Sequence, residues 1–176
     1  HDIAKPNTKR FNAKQGWTFH GHEDKGARMV PSIFRKLKLP LDTPMKYVQK
    51  LVLLHLRPIS LTNKSITDSA LRRLLFEAGD DLEDLMTLCQ SDITSKNREK
   101  KIKYIKRFED VKIKLRDLED RDKIKNWQPP IDGKEIMETF NIKPCKEVGI
   151  LKESIKNAIL DGIIKNSYQE AYDYLL

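Results

Sequence analysis

Apolar residues recur along this chain at intervals of three and four, the period of one face of an α-helix. Between Glu23 and Leu39 they fall at Ala27, Val30, Phe34 and Leu37, with Pro31 inside the run, where it is expected to kink the helix or divide it. Asp42-Thr43-Pro44 reads as a helix start, Thr43 as N-cap and Pro44 at the first helical position. That helix carries Val48, Leu51, Val52, His55 and Leu56 on one face, and Pro58 is expected to stop it. Thr67-Asp68 caps the next, with Ala70, Leu71, Leu74, Leu75 and Ala78 inward and Gly79 as its stop. Asp80 to Ser95 continues with Leu82, Leu85, Met86 and Cys89, and one turn on come Asp92 and Ile93.

A long helix is predicted from Lys96 to about Asn126, roughly 45 Å at 1.5 Å per residue. Its seam is Tyr104, Phe108, Val111, Leu115 and Leu118, open at this point to internal packing or to a dimer contact. Trp127-Gln128-Pro129-Pro130 ends it and is the best boundary in the chain. The tail is helical over 132–140 and 146–160, with Asp161-Gly162 as a stop and Ser167 capping a last helix. Residues 7–18 have no apolar period and read as a loop, and no segment alternates as a strand. The fold class is all-α, divided as 1–95, 96–127 and 128–176.

Charge changes this picture in one place. Of the +8 total, residues 1–92 hold +4, residues 93–127 hold +6 and residues 128–176 hold −2. The middle helix is therefore the basic one. Lys100, Lys101, Lys103, Lys106 and Arg107 form either the solvated side of a long helix or a face for a polyanion such as RNA. Lys143 and Lys146 stand at a helix start, where free backbone N–H groups favour anions. No apolar run approaches twenty residues and no signal peptide is recognisable, so a soluble cytoplasmic protein without membrane contact is expected. Cys89 and Cys145 are then reduced thiols.

The candidate chemistry is concentrated early. All four histidines, His1, His20, His22 and His55, lie in the first third of the chain. His1-Asp2 offers an imidazole nitrogen and a carboxylate oxygen from adjacent positions, a compact mixed donor pair for a divalent cation. A single histidine on an apolar face is ordinarily a hydrogen-bonded core residue. Here a His-Asp pair expected at a helix end, His22 at a helix start, His55 on an inward face and Asp92 at the end of an apolar stripe fall on successive helices, which suits one metal site. His20, two before His22, is expected at the loop edge.

These residues resemble a family. His1-Asp2-Ile3-Ala4-Lys5-Pro6, Phe19-x-Gly21-His22-Glu23-x-x-Gly26-Ala27, Leu54-His55-Leu56-Arg57-Pro58 and Ser91-Asp92 are similar to the HD superfamily of metal-dependent phosphohydrolases. Thr67 to Leu74, Leu88 to Asn97 and the tail motifs Ile131-Asp132-Gly133-Lys134-Glu135, Pro144-x-x-x-Val148-Gly149 and Asp161-Gly162 narrow the likeness to bacterial tRNA nucleotidyltransferases and poly(A) polymerases. The resemblance implies an HD helical bundle, then a long helix and a small helical subdomain that helps hold tRNA. It implies that His1, Asp2 and Asp92 bind a divalent ion (Mg, Mn, Ni, Fe or Zn), with His22 and His55 serving a second ion or the substrate phosphate. Asp2 and Lys5 would be catalytic, and Lys5 and Arg28 would meet phosphate oxygens.

Nothing in the chain matches the family's nucleotidyltransferase head, which would bind the nucleotide substrates, and the pattern's first histidine would lie before His1. The sequence is therefore expected to be a C-terminal fragment of a CCA-adding enzyme. Two alternatives are an independent HD phosphohydrolase acting on a nucleotide and an RNA-binding module with a vestigial HD fold. In the tail, Pro144-Cys145-Lys146 stands where the family usually has Pro-Gly-Pro.

Overall fold

The computed structural model describes residues 1–62, 66–93 and 97–176. It is helical in the order α1 Lys5–Thr8, α2 His22–Lys36, α3 Thr43–Leu54, α4 Leu56–Leu61, α5 Asp68–Ala78, α6 Leu82–Ser91, α7 Arg98–Asp122, α8 Gly133–Phe140, α9 Lys146–Asp161 and α10 Tyr168–Leu175. A 3-10 turn, Gly79–Asp81, joins α5 to α6. The all-α class expected from periodicity holds. The stretch read as a loop departs from it, because β1 (Arg10–Asn12) and β2 (Gly16–Thr18) form a small antiparallel hairpin. Strands of three residues are too short to carry an alternating pattern. Gly16 (φ 76°) turns the chain back, and the Asn12 side chain accepts from the amides of Lys14 and Gln15 across the turn.

Two prolines behave differently from expectation. Pro31 lies inside α2 without dividing it. It removes one backbone donor, and burial of its neighbours Ala27 and Val30 against Val52 offsets that loss. Pro58 does not end the helix but lies within α4. Having no N–H, it leaves the Leu54 carbonyl without its i→i+4 donor. The helix accordingly breaks at His55 and restarts at Leu56. The break turns His55 from a mid-helix position into a junction.

The described chain separates into two compact units, one of His1–Ser65 with Ala78–Val111 and the other of Ile66–Glu77 with Lys112–Leu176. In the first, α2 and α3 pack through Ala27, Val30 and Val52, with Phe34, Met45 and Val48 at the edge. Gly26 permits their approach, since a Cβ there would stand 3.0 Å from Val52 Cγ1. Tyr47 donates to Asp84, and Lys50 is 2.5 Å from the Asp81 carboxylate, which fixes α3 against the segment that begins α6.

In the second unit, α9 packs on α8 and α10. Side chains cap two helix starts: the amide of Glu170 donates to Ser167, the cap expected from sequence, and that of Glu135 donates to Asp132, whereas in the first unit Thr43 is the first residue of α3 and Asp42, not Thr43, is its N-cap. Arg72 holds Asp122 at 2.7 Å, and Arg73 grips Asp161 through paired bonds at 2.9 Å.

The long helix is shorter than predicted. Its 25 residues end at Asp122, five residues before Trp127. Lys123 takes a left-handed turn (φ 49°), which lets Ile124 be fully buried. Phe108, Val111, Leu115 and Leu118 are all buried within this chain, so the seam is internal packing, and only Tyr104 is exposed. Residues 94–96, including the Thr94-Ser95-Lys96 part of the motif and the expected boundary at 95, lie outside the described residues. Among the described residues, no helix is long and apolar enough to cross a membrane.

Candidate metal centre

The structure brings His1, Asp2, His22, His55 and Asp92 to one place in the first unit. His1 and Asp2 do not end a helix. They lie in a turn ahead of α1, closed by the Lys5 amide donating to the Asp2 carbonyl at 3.0 Å. His22 is the first residue of α2, turned in by Gly21 at φ 76°. His55 sits at the break between α3 and α4, and Asp92 follows the last turn of α6.

The donor atoms converge on the Asp2 carboxylate. Its Oδ1 is 3.5 Å from His1 Nε2, 3.5 Å from His22 Nε2 and 4.0 Å from His55 Nε2. His1 Nε2 is also 3.4 Å from Asp92 Oδ1. His22 and His55 are buried, at 5% and 2% exposure.

Backbone carbonyls decide which nitrogens are available. His22 Nδ1 is 2.8 Å from the Phe19 carbonyl and His55 Nδ1 is 2.6 Å from the Val52 carbonyl. A carbonyl only accepts, so each Nδ1 carries the proton, and in the neutral rings each Nε2 presents a lone pair inward. Those two Nε2 atoms are 3.1 Å apart. A hydrogen bond between them needs one ring to be an imidazolium, and burial pushes His55 below the usual histidine range, against the pull of the Val52 carbonyl.

Asp2 Oδ1, out of solvent, has no hydrogen bond among the described residues. Facing lone pairs and an orphaned carboxylate oxygen are costly unless a cation lies between them. The spacing also fits. Ligands about 2.1 Å from one ion stand roughly 3.0–3.4 Å apart in octahedral or tetrahedral shells, against the 3.1–4.0 Å found here. The residues therefore suit a divalent metal with mixed nitrogen and oxygen donors.

Around the cluster the predicted residues divide. Lys5 Nζ is 2.6 Å from Asp2 Oδ2, on the outer side of the carboxylate. Arg28 is not brought in: six residues past His22 it points about 240° around α2, and its guanidinium pairs with Asp24 at 2.6 Å. His20 is exposed at the loop edge, as expected. Cys89 lies beneath His55, its thiol donating to the His55 carbonyl at 2.9 Å, and burial pushes it up to about 12. It braces the junction and does not ionise. Lys100, Lys101, Lys103, Lys106 and Arg107 are exposed along α7, and Lys143 and Lys146 are exposed at the start of α9.

Glu23 falls inside the sequence motif, where nothing gives it a role. Its Oε2 is buried without a hydrogen bond among the described residues, 3.6 Å from His22 Nδ1. Nothing in the sequence marks the carbonyls of Phe19 and Val52, because their function is set by backbone geometry.

A helical bundle whose junctions bring imidazoles and carboxylates to one place gives a possible His/Asp metal site. The HD domain pattern matches residues 1–96, and the chain belongs to the HD-domain family. It is also similar, at 28% identity over all of its length, to a CC-adding tRNA nucleotidyltransferase of Thermus thermophilus. It is 28% identical over 90% of its length to an A-adding tRNA nucleotidyltransferase of Deinococcus radiodurans. The chain spans 38% and 35% of those relatives' own lengths. No solved structure matches it significantly.

Proposed function

We propose that this chain is the HD-bearing, tRNA-holding C-terminal part of a tRNA nucleotidyltransferase that acts at the CCA end, and that its cluster is a divalent-metal phosphohydrolase centre. The observation that carries the centre is the buried, unpartnered Asp2 Oδ1 facing three imidazole Nε2 atoms. Nucleotidyl transfer is assigned to a head outside these residues.

In this reading His1, Asp2 and Asp92 hold an ion, and His22 and His55 complete its shell or face the substrate phosphate. A divalent ion there supplies Lewis-acid polarisation of a phosphoryl oxygen and a water acidic enough to lose its proton near neutral pH. The chain's own groups do the rest. The Phe19 and Val52 carbonyls hold the two imidazoles in the lone-pair-inward tautomer. Lys5 swings from Asp2 Oδ2 to a phosphate oxygen, neutralising charge as a phosphoester bond breaks.

The exposed cations of α7, with Lys143 and Lys146, follow the tRNA backbone, which fixes register without reading bases. The similarity of all and of 90% of this chain to part of two tRNA nucleotidyltransferases supports that partner. The test has two arms. Hydrolysis of bis-p-nitrophenyl phosphate with Mn or Ni is expected, and Asp2→Asn is expected to abolish it. tRNA binding is expected to weaken steeply with salt. No hydrolysis with any of the metals overturns the catalytic half, and salt-independent tRNA binding overturns the other.

A further inference from the structure

The hairpin carries an observation the metal centre does not use. Phe11 stands opposite Trp17 in register, their rings 5.3 Å apart and edge to face. Both are largely exposed, at 66% and 59%. A ribbon of three residues per strand is marginal by itself, and this one leaves two aromatic rings in water. The Lys9 ammonium is 4.3 Å from the centre of the Trp17 ring, and Arg10 and Lys14 add positive charge to the same ribbon.

Trp17 also walls a cavity of about 440 Å³ together with Lys5, His22, Glu23 and Leu56. The volume is that of a small-ligand pocket. Its lining has three chemistries. Lys5 and His22 belong to the His-Asp cluster and suit a phosphate. Trp17 offers a π-face. Glu23 offers a buried carboxylate oxygen with no donor among the described residues, suited to a hydroxyl or an exocyclic amine.

We propose that this cavity is a nucleoside-phosphate subsite. The base stacks on Trp17, Phe11 steadies Trp17 through its edge, Glu23 Oε2 accepts from the ribose or the base, and the phosphate faces Lys5 and the cluster. The proposal rests on the reading of the cluster as a phosphoester site. It adds that the substrate is read by its base through the hairpin, so the phosphoester belongs to a nucleoside.

Calorimetric titration of the whole chain in Mn tests it, with inorganic phosphate, ribose 5-phosphate and adenosine 5′-monophosphate as probes. One base–aromatic stack predicts that the nucleotide binds about 5- to 140-fold tighter than ribose 5-phosphate. Trp17→Ala collapses that ratio to about one, Trp17→Phe keeps most of it, and Phe11→Ala lowers it partway. A loss of fold moves all three probes together, so the ratio separates stacking from structure. A trinucleotide ending in a 3′-phosphate distinguishes the sources: tighter than the mononucleotide with the same Trp17 dependence, it makes an RNA end the ligand, and weaker, a free nucleotide.

A ratio near one in the unaltered chain, no nucleotide binding at all, or a ratio indifferent to Trp17→Ala overturns the proposal. Phosphate binding that does not need Asp2, beside a ratio that does need Trp17, would instead overturn the reading of the cluster and leave the subsite standing.

Discussion

Asp2→Asn is expected to make the metal-free protein more stable and the metal-loaded protein less stable than the unaltered chain. In the absence of metal Asp2 Oδ1 is a buried acceptor without a donor, a condition that costs about 1–3 kcal/mol. It faces Nε2 lone pairs at 3.5 and 4.0 Å. An amide nitrogen in its place donates to one of them, while the amide oxygen keeps the contact with Lys5 Nζ. The Lys5 pair is more than a third exposed on both sides, so losing its full charge costs little.

The net expectation is a gain of about 1–2 kcal/mol, or roughly 2–8 °C in Tm for a chain of this size. Metal reverses the order. At a hundred times Kd an ion stabilises the unaltered chain by about 2.7 kcal/mol, and the amide variant, a much poorer ligand, gains little. Urea unfolding in chelator and in excess Mn or Zn measures both states. The reasoning is refuted if the variant is the less stable protein in chelator, or if metal stabilises both equally.

Other expectations follow from the same geometry. Replacing Lys100, Lys101, Lys103, Lys106 and Arg107 with Ala should flatten the slope of log K against log[salt] for tRNA by up to about 4, near 0.7–0.9 for each phosphate no longer neutralised, read by filter binding across a range of roughly 50–300 mM salt. Asp122 is held below the ordinary carboxylate range by Arg121 first and then by Arg72. Its stabilisation is therefore present above the unfolded value near 4 and lost as pH falls through the depressed folded value. Asp122→Asn should cost about 1–2 kcal/mol at pH 7 and progressively less as pH falls below about 4, measured as a difference in urea midpoint. Cys145 is exposed and Cys89 is buried with its thiol pushed up to about 12. Iodoacetamide at pH 8 should label one cysteine per chain in the native state and two in urea, as counted by intact mass.

The helices were largely legible in the sequence because their faces repeat strictly. The seam from Phe108 to Leu118 and the cap at Ser167 hold residue for residue. The cluster was legible as a set of residue types, since imidazoles and carboxylates at inward positions need partners. What escaped depends on backbone detail.

Pro58 lies inside α4 instead of stopping the helix, and the break falls at His55, whose Nε2 stands 4.0 Å from Asp2 Oδ1. The carbonyls of Phe19 and Val52 that orient the imidazoles have no side-chain signature. The hairpin was missed because three-residue strands alternate too briefly to register. Arg28 is near His22 in sequence, but the helical rotation between them sends it to Asp24. The long helix ends at Asp122, well before Pro129, where the left-handed turn at Lys123 lets Ile124 be buried.

Equilibrium dialysis of the chelator-stripped chain against Mn or Zn, with the bound ion counted by elemental analysis, tests the central claim most directly. The geometry predicts at least one ion per chain, lost in Asp2→Asn and His55→Gln and retained in His20→Gln, whose side chain lies outside the cluster. No bound ion, or an ion that survives the loss of Asp2 and His55, would contradict it.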